Sequence, residues 1–430
     1  MRVFAIAILA TGLLVVPLAG AADFGRPAEI PLAQAPDGVL LGDATQDALD
    51  DIVTINASAS SISVLPGLGD GGFQRRIDYP AVTGARSAVL GDWDADGADD
   101  LAVAAGARIT VFSGIDGGFA RRASYPAHAP SALAVADIDS DGNLDLVAAN
   151  STGASVSVLR GRGNGTFEPA VDYPIGSRAS SVLVADLNGD DTPDIAAAGS
   201  NLTILLGTGD GALDPFIGYA TGVAGRSLAA EDLDQDEDLD LVVAGGQNQI
   251  GVLLNAGDGT FPQHVSYRVG GTPVGVAIAD LDGDGSFDVV TANRGSNDIS
   301  ILRGVGDGTF EAQSRVTVGR TPTALGADDL DADGTIDLVV ANRGSKSVTV
   351  LLNGADAPQP TVCLVPRVVR RALAVARGLL TRAHCTLAPV RRKYSNRVKR
   401  GRVIAQRQVP GTRMPEESRI TLLVSRGPKR

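Results

Sequence analysis

One short pattern recurs seven times and limits the chain to a repeat architecture. An aspartate opens it at Asp43, Asp92, Asp137, Asp186, Asp232, Asp280 and Asp329, at intervals of 45 to 49 residues. A second marker lies 18 or 19 residues upstream of each: Phe24, Phe73, Phe119, Phe167, Leu213, Phe261 and Phe310. After each aspartate cluster come an apolar segment such as DLVVAN (337–342), a polar turn, and an alternating segment such as SVTVLLNG (347–354). β-Branched, alternating runs of this length predict about four short antiparallel strands per unit. Repeats of this size and content build either a β-propeller or a solenoid.

The two architectures differ in how they treat their ends. The first unit opens at the Phe24 marker, in mid-sheet, and the last stops at Gly354, where the next marker would begin. A solenoid would leave both edges open, whereas a propeller can complete its last blade with the first strand. The expected fold is therefore all-β: a seven-bladed propeller over residues 22–354. Hydrophobic residues make up 44% of the chain, enough for a core, while 53 glycines against 4% aromatics suit tight turns between small, β-branched strands.

Within each cluster, side-chain oxygens fall at positions 1, 3, 5 and 9, and position 6 is the turn. Four copies place glycine there. They are Asp92, Asp94, Asp96 and Asp100 with Gly97; Asp137, Asp139, Asp141 and Asp145 with Gly142; Asp280, Asp282, Asp284 and Asp288 with Gly285; and Asp329, Asp331, Asp333 and Asp337 with Gly334. The fourth copy has Asp186, Asn188, Asp190 and Asp194 with Asp191 at the turn, and the fifth has Asp232, Asp234, Asp236 and Asp240 with Glu237. The first is the weakest, with Asp43, Thr45, Asp47 and Asp51, one acid fewer, and Ala48 at the turn.

Carboxylates this close repel one another unless a cation sits among them. Calcium takes six to eight oxygens at about 2.3–2.6 Å, and a short loop can wrap it when the backbone turns sharply at glycine. The competing reading is a turn whose acids are satisfied by its own amides. Recurrence of the acids in register favours calcium, most strongly in the four glycine loops, then the fourth and fifth, then the first. The loop resembles an EF-hand but lacks its acid at position 12, where Thr291 stands in the sixth copy, and a strand follows it.

These repeats resemble the FG-GAP/VCBS family, which includes the propeller of integrin α chains, over roughly residues 24–354. The resemblance implies structural calcium, several ions per chain, in loops of this form.

The two ends of the chain carry separate signals. Arg2, an apolar run from Val3 to Leu18 and Ala19-Gly20-Ala21 read as a secretory signal peptide, residues 1–21. No second apolar run follows, so the mature chain is expected to be exported, without a membrane span. From Thr361 to Arg430 there are 18 basic residues and two acidic ones, net +16; the preceding 360 residues hold 19 basic and 48 acidic, net −29. A charge inversion this sharp marks a domain boundary, and it falls at a short Pro-containing linker, residues 355–360.

Residues 361–430 then form a second, small α+β unit. Leu373, Ala376, Leu380 and Ala383 make one apolar stripe, predicting a helix over 370–383, with strands at Arg402–Gln406 and Arg419–Ser425. The segment resembles a PASTA domain through Val365-Pro366, Leu373, Ala376, Gly401 to Ile404, Gln406, Pro410-Gly411 and Val424 to Gly427. It departs at Arg370, where the family usually has glycine, and at Gln408, often proline there. The resemblance implies recognition of peptidoglycan, and the +16 charge independently predicts salt-sensitive attraction to anionic wall polymer, with docking onto the acidic propeller as the alternative. Nucleic acid is a poor match for an exported chain. The two cysteines, Cys363 and Cys385, are expected to pair in an oxidising compartment.

No catalytic motif emerges. His128, His264 and His384 are scattered, and neither a GxSxG elbow nor an Arg-Gly-Asp triplet occurs. The rings Tyr79, Tyr125, Tyr173, Tyr219 and Tyr267 recur six residues after the phenylalanine (or Leu213) marker, so the repeat accounts for them, which weakens a sugar-binding platform. The reading is a secreted calcium-binding adhesion or recognition protein, with a polysaccharide hydrolase or lyase and a structural wall protein as the competing classes.

Overall fold

The computed structural model describes residues 24–115, 118–354, 362–382, 385–395, 397–410, 412–415 and 418–429. The expected signal peptide and the linker at 355–360 lie outside the described residues.

Each repeat folds as a blade of four antiparallel strands. In the first complete blade these are Gly38–Gly42, Asp51–Asn56, Ser61–Leu65 and Ile77–Pro80, hydrogen-bonded in that order. Five further blades repeat this order between Ala85 and Thr317. The seventh contains Pro322–Asp328, Asp337–Asn342 and Ser347–Leu351, and its outer strand is Ala28–Pro31 from the start of the chain, with Ala28 opposite Val350. The expected closure is thus present. First strands of neighbouring blades touch all the way round, and Gly38–Gly42 meets both Ala85–Gly91 and Pro322–Asp328.

The sequence pattern explains the layering. Second strands such as DLVVAN are buried along their whole length because blades cover both of their faces. First strands are half-buried and rich in alanine and valine, which fit the narrow centre of the ring. Four of the second strands end on an asparagine, Asn56, Asn150, Asn293 and Asn342, and Asn150 ties down the following turn by donating to the hydroxyls of Ser155 and Ser157 at 2.9 and 2.8 Å. The phenylalanine markers sit between blades. Tyr79 meets Phe119, Tyr125 meets Phe167, Tyr219 meets Phe261 and Tyr267 meets Phe310, all edge-to-face with centroids 5.3–6.1 Å apart. These rings therefore join blades, a contact geometry stabilising in itself.

The basic unit has its own core of Val365, Val368, Ala376, Leu379, Leu380, Val403, Ile420, Leu422 and Val424. Its helix runs from Leu373 to Arg382, starting three residues later than the apolar stripe predicts. Arg370 is the reason, because its backbone is left-handed (φ 67°) and cannot be helical. The strands fall at Val403–Gln406, Arg419–Ile420 and Leu422–Ser425, with Arg391–Lys393 running parallel to the last. Gln408 bridges two strands, its Oε1 accepting the Thr421 N–H at 3.0 Å and its Nε2 donating to the Arg419 carbonyl at 3.0 Å. Cys385 is buried and not free, whereas the side chain of Cys363 lies outside the described residues.

Glycine at 370 would remove the left-handed strain, so Arg370→Gly is expected to stabilise the basic unit by about 1 kcal/mol. Chemical denaturation that shows a loss of stability instead would contradict this.

Candidate functional site

Each aspartate loop joins the first strand of a blade to its second. All seven adopt one conformation. Position 4 is left-handed in every copy (Gln46, Ala95, Ser140, Gly189, Gln235, Gly283 and Ala332), and so is position 6. The four glycines at position 6 adopt this readily, with φ from 82 to 95°. Ala48, Asp191 and Glu237 are held there at 69, 65 and 74° by the surrounding repeat, at a cost in backbone strain.

The carboxylates do three different jobs. Position 1 accepts the amides of positions 5 and 6: Asp280 takes the N–H of Asp284 at 3.2 Å and of Gly285 at 3.0 Å. Position 9 opens the second strand and is almost wholly buried in every copy. It pins the loop's start to the turn after the third strand. Asp145 accepts the Ile138 N–H at 2.8 Å and the Gly161 N–H at 2.6 Å, and Asp337 accepts those of Leu330 and Asn353 at 2.9 and 2.8 Å. Glycine suits that turn because a Cβ on Gly161 would stand 2.1 Å from the Leu144 carbonyl oxygen.

Position 3 is different, and its oxygens bear on the choice between a turn and a cation site. Asp94, Asp139 and Asp234 each keep one buried carboxylate oxygen with no hydrogen-bond partner, as do the Thr45 hydroxyl at position 3 of the first loop and one oxygen of Asp100 at position 9. A self-satisfied turn leaves no such atom, and burying one unpaired is costly. Among the described residues five groups of acids converge with ligand atoms within 4.8 Å of one another: Asp92, Asp94 and Asp96; Asp137, Asp139 and Asp145; Asp232, Asp234 and Asp236; Asp280, Asp282 and Asp284; and Asp329, Asp331 and Asp333. Several clusters could therefore hold metal ions. The fifth loop is among them despite Glu237 at its turn. In the fourth, Asn188 donates to Asp190 at 3.0 Å, and in the first Thr45 replaces the acid.

Burial and like charge raise the acids' pKa values. Position 9 is driven up mainly by burial, to about 6 for Asp100, Asp145, Asp240 and Asp288, about 7 for Asp337 and about 8 for Asp51. Asp194 moves the same way for the same reason. Asp234 and Asp282 are raised by burial and then by the neighbouring Asp236 and Asp284.

Sequence reasoning missed the arginines that touch these loops. Arg122 contacts Asp94 at 2.6 Å, Arg303 contacts Asp282 at 2.9 Å and Arg160 contacts Asp139 at 3.4 Å. Arg122 and Arg160 also donate to carbonyls of the next blade, Asn164 and Asp210. They tie blades together and neutralise part of the charge. Arg160 and Arg303 share one register, each seven residues before its phenylalanine marker, and that recurrence was the signal; Arg122 lies outside it.

The histidines give no catalytic grouping among the described residues. His128 pairs with Asp172 at 2.9 Å, and Ser157 donates to that same aspartate. An acid standing between serine and histidine is the wrong order for activating a nucleophile. No helix among the described residues is long and apolar enough to cross a membrane.

Comparison with known proteins gives two family matches. The FG-GAP-like repeat matches residues 92–148, 137–197, 232–291 and 280–340, and the PASTA domain matches 364–426. No curated protein matches the sequence. A structure of BBS1N in complex with ARL6DN, soaked with lead, is 12% identical with a TM-score of 0.58, covering 78% of this chain and 98% of that one. A streptogramin B lyase structure is 15% identical with a TM-score of 0.52, covering 76% and 98%. At these identities the likeness concerns the fold alone.

Proposed function

Because the chain belongs to the FG-GAP-like repeat proteins and carries a PASTA domain, we propose that it is a secreted, calcium-binding adhesion or recognition protein held at the cell wall by its tail. The propeller is the calcium-stabilised scaffold, and the PASTA domain binds peptidoglycan or an anionic wall polymer. Calcium fits the loops because the acids converge and the buried oxygens of Asp94, Asp139 and Asp234 need a cation or a donor. Hard carboxylate oxygens suit calcium better than softer metals.

The observation that carries the wall reading is a basic cavity of about 500 Å³ on the PASTA domain, lined by Arg392, Tyr394, Arg400, Arg426 and Lys429. The Arg426 guanidinium lies 5.6 Å from the centre of the half-exposed Tyr394 ring, so charge and an aromatic face are offered together. Such a surface suits a sugar chain bearing carboxylate or phosphate. A Cys363–Cys385 disulfide belongs to the same proposal and would add about 3 kcal/mol by closing its loop in an oxidising compartment.

Sedimentation of the full chain with purified cell walls tests this. Binding is expected at low ionic strength and should weaken by about tenfold or more in molar salt, since exposed charges are screened. The triple substitution Arg392→Ala, Arg400→Ala, Arg426→Ala should weaken it similarly. Walls stripped of phosphate-bearing polymer separate the two ligands. A chain that stays in the supernatant at low salt contradicts the wall reading.

A further inference from the structure

The first aspartate loop differs from the other six in sequence and in surroundings. It has threonine at position 3, where the fourth copy has Asn188 and the other five an aspartate, and it alone has alanine at its turn. It is also covered. Asp47, at position 5, is 4% exposed and Thr45 8%, while in the equivalent place Asp96, Asp141, Asp190, Asp236 and Asp284 are exposed and Asp333 is half-buried. What covers it is the PASTA domain. The buried Arg371 guanidinium donates to the carbonyls of Thr45 and Gln46, the latter at 2.7 Å, and faces the charges of Asp47 and Asp43. The Arg367 N–H donates to the Asp47 carbonyl at 3.0 Å. Its guanidinium reaches across to the Gly97 carbonyl at the turn of the second loop.

We propose that the first loop is a docking socket for the PASTA domain, in which the Arg371 guanidinium takes the role that a metal ion has in the other loops. The residues present do not fit a divalent ion. Thr45 cannot supply a carboxylate, no converging acid triad forms there among the described residues, and the nearby cation is already a side chain of this protein. A fixed guanidinium with several planar donors matches a ring of carbonyls and carboxylates, and it needs no ligand supply. Arg371 is itself held in place, its carbonyl accepting the Val403 N–H at 2.9 Å. The copy with threonine at position 3 and alanine at its turn is the copy that the tail covers. The junction leaves a groove of about 320 Å³ lined by Gln46, Asp96, Gly97, Arg367, Arg370 and Arg402.

The test uses the full chain with Arg371→Met and Arg367→Ala, and Arg407→Ala as a control on an exposed tail arginine. Hydrogen exchange over residues 43–51 is expected to rise by about tenfold or more in the first two variants, because local opening replaces global opening. Exchange over 329–337 should stay unchanged, and small-angle scattering should show a larger radius of gyration. Native mass spectrometry adds a separate arm: Asp47→Asn is expected to leave the number of bound calcium ions unaltered. If Arg371→Met misfolds by circular dichroism, Arg367→Ala carries the same readouts. Unchanged exchange and scattering in the folded variants would overturn the socket, as would loss of one ion in Asp47→Asn. The exchange and scattering arms do not depend on any loop holding calcium.

Discussion

Chelation with EDTA is expected to lower the melting temperature of the full chain by on the order of 20 °C or more. At a free calcium concentration a hundred times its dissociation constant, each bound ion stabilises the fold by about 2.7 kcal/mol. Five converging groups of acids therefore outweigh the effect of any single side chain. Removing the ions also leaves the acids to repel one another across a few ångströms. The same experiment has a pH signature. In the folded protein the position-9 aspartates hold their protons up to about 6, or 7 for Asp337 and 8 for Asp51, because they are buried. In the unfolded chain they lose them near the ordinary aspartate value of 3.8. The folded state thus binds more protons between these values, and stability, full below about pH 4, is lost as pH rises through 6 to 8. Melts in EDTA should show this decline, and calcium should flatten it. A melting temperature indifferent to both EDTA and pH contradicts the cation reading.

The second large effect separates the structural acid from the ligands. Asp288 is buried, and its carboxylate accepts the N–H groups of Leu281 at 3.2 Å and Gly304 at 2.9 Å. Asp288→Ala leaves both donors buried without partners, which costs about 2–4 kcal/mol whether or not calcium is present. Asp284 is exposed, and its carboxylate accepts the Ser286 N–H at 2.7 Å. Asp284→Asn keeps an oxygen for that contact and removes only a charge from the cation site. Denaturation in EDTA should therefore show a large loss for Asp288→Ala and almost none for Asp284→Asn. In calcium both variants should be less stable than the parent chain. Equal losses in EDTA would mean that position 9 has no pinning role.

Much of this architecture was legible because it is repeated. The Asp43-to-Asp329 series set the blade count, and Phe24 with Gly354 showed where the ring closes. Position 9 was harder to read. In sequence Asp288 looks like one more ligand, and only the strand pairing brings the Gly304 amide to it. Arg370 was visible as a departure from its family, and its left-handed backbone explains why glycine is usual there. The docking of Arg371 onto Thr45 joins residues 326 apart, and no local propensity encodes such a contact. Its traces were the missing acid at Thr45 and the alanine at Ala48, which first read as mere weakness of the first loop.

Native mass spectrometry of the full chain in millimolar calcium tests the central claim most directly. Five ions are expected, one for each converging group of acids, and a sixth if the loop of Asp186, Asn188 and Asp190 also fills. A chain that keeps its metal-free mass would contradict the account.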